Sequence, residues 1–169
     1  MKISRLVLTA AMLAFAASAS AQQAAQPASA PAARPPAKQQ QLTPEQQAQV
    51  ARQNAEMGKA AAQVIQLVDQ NKVGEVWDGA SAVAKSVVGK SSFVTQIAAD
   101  RQKLGAPTER KQVGVTRAAY QAGGKVPAGN YINVVYATKF ANAPKPVREL
   151  VSYHLDNDKT WRVSGYSLR

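Results

Sequence analysis

The chain has 169 residues, of which 46% are hydrophobic, and it contains one histidine and no cysteine. Lysine and arginine outnumber aspartate and glutamate by 21 to 10, which gives a formal net charge of +11 at pH 7. These counts exclude disulfides, cysteine nucleophiles and multi-histidine metal sites, and no motif indicates a metal or a cofactor.

The first 21 residues have the pattern of a secretory signal peptide. Lys2 and Arg5 precede an apolar run over residues 6–17, and small residues end the segment at Ala21. The apolar run is too short to span a bilayer, so the pattern predicts cleavage after Ala21 and a periplasmic or secreted protein. No second long apolar run follows, so we expect no transmembrane segment in the mature chain.

The charge of the mature chain indicates a class of partner. Without Lys2 and Arg5 the chain has 19 basic residues against 10 acidic ones, a formal charge of +9. Positive charge favours anionic partners, and for an exported protein we expect an anionic component of the cell envelope before nucleic acid; a protein partner is also open. The alternative is that the charge only keeps the protein in solution, because its basic residues are scattered.

Two further segments follow the predicted signal peptide. Residues 22–42 are rich in Ala, Gln and Pro, which predicts a disordered linker, and a proline-rich ligand for a partner is the alternative. Residues 43–169 are predicted to form a single α+β domain, large enough to be stabilised by its own core.

Three helices are predicted in the first part of this domain. Thr43 and Gln46 form a capping-box pattern at the start of the first helix, which should end near Asn71, with a break or kink at Gly58. The second helix is predicted over residues 72–88, with Trp77 packed in the core. The third helix should be capped by Ser91 or Ser92 and end at Gly105.

Four strands are predicted after Pro107, over residues 111–120, 131–140, 147–155 and 160–168. Their short connections indicate an antiparallel meander. Helices followed by strands predict an α+β fold in which three helices pack on a curved, cone-like sheet. The last strand changes parity between Val163 and Tyr166, so we expect a β-bulge at Ser164 and Gly165, where glycine should permit the bend.

Glu149 is the candidate for chemistry, because it shares an apolar strand row with Val151 and Tyr153. A buried carboxylate is either paired or perturbed in its pKa. We favour pairing with Arg117 or Arg162, and the alternative is a general acid or base with Tyr136 or Tyr153 as hydrogen-bond donors. The single histidine, His154, lies on the polar row and is expected to be exposed.

From about residue 60 to residue 169 the chain resembles a bacterial family of exported domains of unknown function, number four thousand and nineteen. The resemblance rests on short motifs: Arg101 with Leu104-Gly105, Arg110, a VPAGNY segment, Thr138 with Phe140, Glu149, and WRVSGY. It implies no catalytic residue. The architecture is also similar to the cone fold of the nuclear transport factor 2-like superfamily, which includes enzymes and binding modules alike. We therefore expect a non-enzymatic binding module, with a small-molecule enzyme using Glu149 as the alternative.

Overall fold

The computed structural model describes residues 42–169. The predicted signal peptide and all but the last residue of the predicted linker lie outside this range. The helices are α1 (Pro44–Asp69), α2 (Val73–Asp78), α3 (Ala82–Val87) and α4 (Lys90–Leu104). The strands are β1 (Pro107–Tyr120), β2 (Gly129–Phe140), β3 (Val147–Leu155) and β4 (Trp161–Leu168).

The α+β fold is confirmed. The strands form one antiparallel sheet in the order β1-β2-β3-β4, as expected for a meander. Within residues 42–169 no helix combines the length and the apolar character needed to cross a membrane.

Helix α1 begins as the capping box predicts. Thr43 Oγ1 accepts a hydrogen bond from the backbone N–H of Gln46, and the Gln46 side chain accepts one from Thr43 N. The expected break at Gly58 is wrong, since the helix runs without interruption to Asp69. Gly58 is buried, and a Cβ there would lie 2.8 Å from Gln112 Oε1 on β1, so its small size serves a close approach of helix and sheet.

The single helix predicted over residues 72–88 is wrong, because the segment forms α2 and α3. Ser81 separates them: its hydroxyl caps α3 by accepting from Ala84 N, and its own N–H donates to Val163 O on β4. Trp77, which was expected in the core, is only half-buried and lies outside the hydrophobic core. Its Nε1 donates to Val88 O. These tertiary contacts fix α3 beside the edge strand.

The predicted end of α4 is confirmed and its predicted start is wrong. Gly105 ends the helix with a φ of 76°, in the region that favours glycine. Gly89 occupies the N-cap without a side-chain hydrogen bond, and Ser91 and Ser92 lie inside the first turn.

The core lies between the helices and one face of the sheet, which we call the core face. One row of β2 is buried, and it packs with residues of α1, α2 and α4. The buried residues of this β2 row are Ile132, Val134, Tyr136, Thr138 and Phe140. The opposite face, which we call the outer face, carries the alternate residues of each strand.

The predicted bulge in β4 is confirmed. Ser152 pairs with Gly165 and Tyr153 pairs with Val163, so Ser164 has no partner in the ladder. Val163 and Tyr166 are therefore both buried on the core face. Glycine is not required for the bend, contrary to our expectation: Gly165 does not have a positive φ, and a Cβ there would meet Ser152 Cβ at an ordinary 3.9 Å.

Candidate functional site

Glu149 is fully buried and closed in by hydrogen-bond donors. Oε2 accepts from Arg110 Nε and from Thr138 Oγ1, each at 2.6 Å. Oε1 accepts from the Tyr166 hydroxyl at 2.6 Å and from Arg110 Nη2 at 3.4 Å. The carboxylate is thus satisfied by groups from β1, β2 and β4, which is what a buried charge requires.

The predicted partners of Glu149 are wrong. Arg110 pairs with it, whereas Arg117 binds side chains of α1 and Arg162 binds the β3–β4 turn. Arg110 stands opposite Thr138 in the β1–β2 register, and this register, which includes a shift between Gln112 and Gly114, brings its guanidinium over β3. The alternation of side chains within each strand does not predict which residues of β1 and β2 stand opposite each other.

Arg110 joins Glu149 to a second acid. Its Nη1 and Nη2 atoms donate to the Asp69 carboxylate at 3.0 and 3.2 Å, and Arg101 Nη2 lies 2.8 Å from Asp69 Oδ1. Burial lowers the pKa of Arg110, but hydrogen bonds to Asp69 and Glu149 outweigh burial and raise it. The chain of alternating charges connects both long helices to the sheet.

The two tyrosines named with Glu149 lie in the same core face but do not form a site with it. The Tyr136 hydroxyl donates to Gly58 O at 3.2 Å, and the buried Tyr153 hydroxyl has no partner among residues 42–169. Burial raises the pKa of both phenols. None of the five best-formed cavities among residues 42–169 is lined by Glu149, Tyr136 or Tyr153.

The prediction that His154 is exposed is wrong. His154 is buried beside the start of β2, with its ring 5.0 Å from the Tyr131 ring and Nδ1 2.8 Å from Asp156 Oδ1. Gly129, at a φ of 144°, packs directly against its Nε2. Gly129 and Tyr131 of β2 therefore cover His154, a contact between strands that the parity of β3 alone does not predict.

The largest of the five cavities is a groove of about 520 Å³ on the outer face, which we call the outer groove. One wall comes from α3 and the segment after it, the other from the β1–β2 connection, and the floor from β2, β3 and β4. Of the five large hydrophobic residues exposed in residues 42–169, three line it: Val87, Tyr120 and Val126, at 69%, 41% and 37% exposure. Apolar side chains are thus concentrated at this groove.

Two arginines lie at the outer groove, one on β3 and the other directly after β4. Arg148 and Arg169 are directly opposite, since each backbone N–H donates to the carbonyl of the other at 2.7 and 2.9 Å. Within the described residues neither guanidinium forms a salt bridge with an acidic side chain. Like charges directly opposite on a sheet destabilise it, so an anion bound between them would be stabilising.

The floor of the outer groove is polar and small. Ser152 donates to Asn133 Oδ1 at 2.7 Å, which leaves the amide nitrogen of Asn133 as a donor. The bulge residue Ser164 has a buried hydroxyl with no partner among the described residues. The groove therefore combines apolar walls, hydroxyl and amide groups, and two cations, a set that suits a partly apolar anion.

Comparison with known families gives one match. Residues 60–166 match the family described as "Protein of unknown function (DUF4019)". The chain belongs to this family. No curated protein matches its sequence. The DUF4019 region contains the whole network of Asp69, Arg101, Arg110, Glu149 and Tyr166. The similarity to the cone fold of the nuclear transport factor 2-like superfamily does not conflict with this architecture and stays a prediction.

Proposed function

We propose that this DUF4019 protein is a non-enzymatic, exported binding module that holds anionic envelope components in its outer groove. Residues 1–21 would direct it to the periplasm or the exterior, and residues 22–42 would act as its linker. The single observation that carries the proposal is the pair Arg148 and Arg169 beside the exposed apolar walls.

The balance of charge at the groove supports an anionic partner. The guanidinium groups of two directly paired residues repel each other, and an anion that accepts hydrogen bonds from both removes that repulsion. Anionic lipid headgroups are among the envelope components that an exported protein meets. The apolar side chains of Val87, Tyr120 and Val126 would contact the acyl region beside a headgroup.

The state of Glu149 does not support the alternative of a small-molecule enzyme. A general acid or base must reach the atom whose proton it transfers, and Glu149 is fully buried with both oxygens already bonded. Its Arg110 partner connects it to Asp69, so opening the site would expose several charges at once. This arrangement fits a structural role.

The test is cosedimentation of the chain lacking residues 1–21 with lipid vesicles. Vesicles of phosphatidylcholine mixed with phosphatidylglycerol should bind the protein, and vesicles of phosphatidylcholine alone should bind it much less. Raising the salt concentration should weaken the binding, because exposed charges are screened within about 10 Å at 0.1 M.

The double variant Arg148→Ala/Arg169→Ala should lose most of the binding. A matched control, Lys59→Ala/Lys103→Ala, removes the same charge from exposed positions that do not line the outer groove and should bind like the wild type. Equal losses in both variants would show that net charge alone drives binding, which contradicts the role of the groove. Absence of binding to the anionic vesicles contradicts the proposed lipid partner.

A further inference from the structure

Arg117 stands apart from the other arginines held by side chains from elsewhere in the fold. Its Nη2 donates to Gln53 Oε1 at 2.7 Å and to Asn54 Oδ1 at 2.8 Å, and its Nε donates to Gln53 Oε1 at 3.3 Å. Both partners are neutral amides on α1. Within residues 42–169 Arg117 forms no salt bridge.

Arg110 and Arg162 differ from Arg117 in the charge of their partners. Each of those two guanidinium groups binds two carboxylates, which neutralise its charge. Arg117 is oriented as firmly, with three hydrogen bonds, but its charge is left uncompensated. Amide partners therefore fix the direction of the guanidinium and preserve its attraction for an external anion.

The position of Arg117 provides a place for such an anion. It lies at a cavity of about 400 Å³ between α1 and the end of the sheet, distinct in position from the paired arginines of the outer groove. Apolar side chains, including Ile132, Leu155 and Trp161, form most of its lining, and Gln53 lies at its edge. Since Nη1 donates to no side chain of the described chain, it is available to a ligand.

We propose that this cavity binds a small monoanion with an apolar body, such as a medium-chain carboxylate. The carboxylate would accept from Arg117 Nη1, and the hydrocarbon would lie against Ile132, Leu155 and Trp161. One charged donor in a mostly apolar cavity favours a ligand with one anionic group, because a second charge would lie against apolar side chains without a charged partner. This site goes beyond the proposed envelope function and does not depend on it.

The experiment is calorimetric titration of the chain lacking residues 1–21 with octanoate, with octanol as the uncharged comparison. Octanoate should bind, and octanol should bind roughly ten- to a hundredfold more weakly, the range for loss of a hydrogen bond to a charged group. No binding of octanoate, or equal affinity for octanol, overturns the proposal.

The decisive variant is Gln53→Glu. It keeps the length of the side chain and the hydrogen bonds from Arg117 but supplies an internal carboxylate, so octanoate affinity should fall by a similar factor while the melting temperature is kept or raised. The control Arg52→Gln removes an exposed positive charge from the neighbouring position of α1 and should leave the affinity unchanged. Unchanged affinity in Gln53→Glu overturns the proposal. Arg117→Gln is a second variant that should also lose binding.

The indole signals of the two tryptophans, the only ones in the chain, show where octanoate binds. In a nitrogen–proton correlation spectrum, octanoate should shift the indole signal of Trp161, which lines the cavity. The signal of Trp77, whose Nε1 is bonded to Val88 O, should stay in place. A shift of the Trp77 signal alone would place the ligand elsewhere and contradict the assignment.

Discussion

The hydroxyl of Tyr166 lies 2.6 Å from Oε1 of Glu149, so a side chain of the edge strand β4 is bonded to the buried acid of β3. Tyr166 can reach this position because the bulge at Ser164 returns it to the core face. The same acid binds Arg110, which binds Asp69 at the end of α1. The bulge and the charge network thus act together to hold the edge of the sheet to the helices.

Replacing Glu149 by glutamine should destabilise the fold strongly. The amide would present N–H donors where Arg110, Thr138 and Tyr166 already donate. Breaking one side of a buried ion pair costs about 3 to 5 kcal/mol, and we expect about 3 because Arg110 retains Asp69. The measurement is the free energy of unfolding in urea.

The control for that variant is Glu109→Gln. Glu109 pairs with Lys139 at 2.6 Å, but both side chains are more than half exposed. An exposed pair contributes about 1 kcal/mol or less, so this change should be small. If the two variants lose the same stability, the buried network is not what holds β3 in place.

Replacing Tyr166 by phenylalanine removes one donor to Glu149 and should cost about 1 to 3 kcal/mol near neutral pH. Burial, followed by the charge of Glu149, raises the pKa of the Tyr166 phenol above its ordinary 10.0. The unfolded chain therefore loses this proton first, and wild-type stability should fall as pH rises through about 10.

The phenylalanine variant should show a smaller fall in stability between about pH 9 and pH 11, measured by thermal melting at each pH. Tyr120→Phe is the control, because Tyr120 is 41% exposed and its hydroxyl donates to no residue of the described chain. Identical alkaline profiles for the wild type and the Tyr166 variant would contradict a role for this hydroxyl.

The sequence predicted those parts of the fold that depend on local rules. The capping box at Thr43, the stop at Gly105 and the parity change in β4 each involve a few adjacent residues, and all three are confirmed. The split of the second helix was missed: Ser81 caps α3, and its N–H donates to Val163 O on β4. A contact across 82 positions leaves no periodic signal.

In the candidate site too, local features were predicted from the sequence and contacts between distant residues were not. Glu149 was recognised as buried and paired, because its strand row is apolar, but choosing Arg110 over Arg117 required the β1–β2 register. The outer groove was not predicted at all. Its walls come from α3 and the β1–β2 connection. Nothing in the sequence around Val87 or Val126 indicates that the two residues lie beside the same face of the sheet.

Gly129→Ala should destabilise the protein far more than Gly165→Ala. A Cβ at Gly129 would overlap His154 Nε2, and its φ of 144° is one that other residues rarely adopt. We expect a cost of about 2 kcal/mol or more at Gly129 from strain and repacking. At Gly165 a Cβ has ordinary contacts, so the cost should stay below about 1 kcal/mol.

Urea unfolding of the two glycine variants provides the comparison. Equal costs would mean that the bulge at Ser164 depends on glycine after all. A negligible cost at Gly129 would mean that the start of β2 is not held against His154.

Asp156 should make the fold sensitive to acid. Burial would raise the pKa of Asp156, but hydrogen bonds with His154 and Arg162 outweigh burial and hold it below its ordinary 3.8. A depressed pKa contributes stability above 3.8 that is lost as pH falls through the folded-state value. Asp156→Asn should therefore be less stable than the wild type at neutral pH, and the difference should shrink between about pH 5 and pH 2 as the wild-type carboxylate takes up its proton. The control is Glu56→Gln, at an exposed position without an ion pair among the described residues. Its difference in melting temperature from the wild type should not change over the same pH range.

A difference for Asp156→Asn that stays constant down to pH 2 would mean that Asp156 acts by shape and not by charge. Asp158 alone would then hold the turn against Arg162.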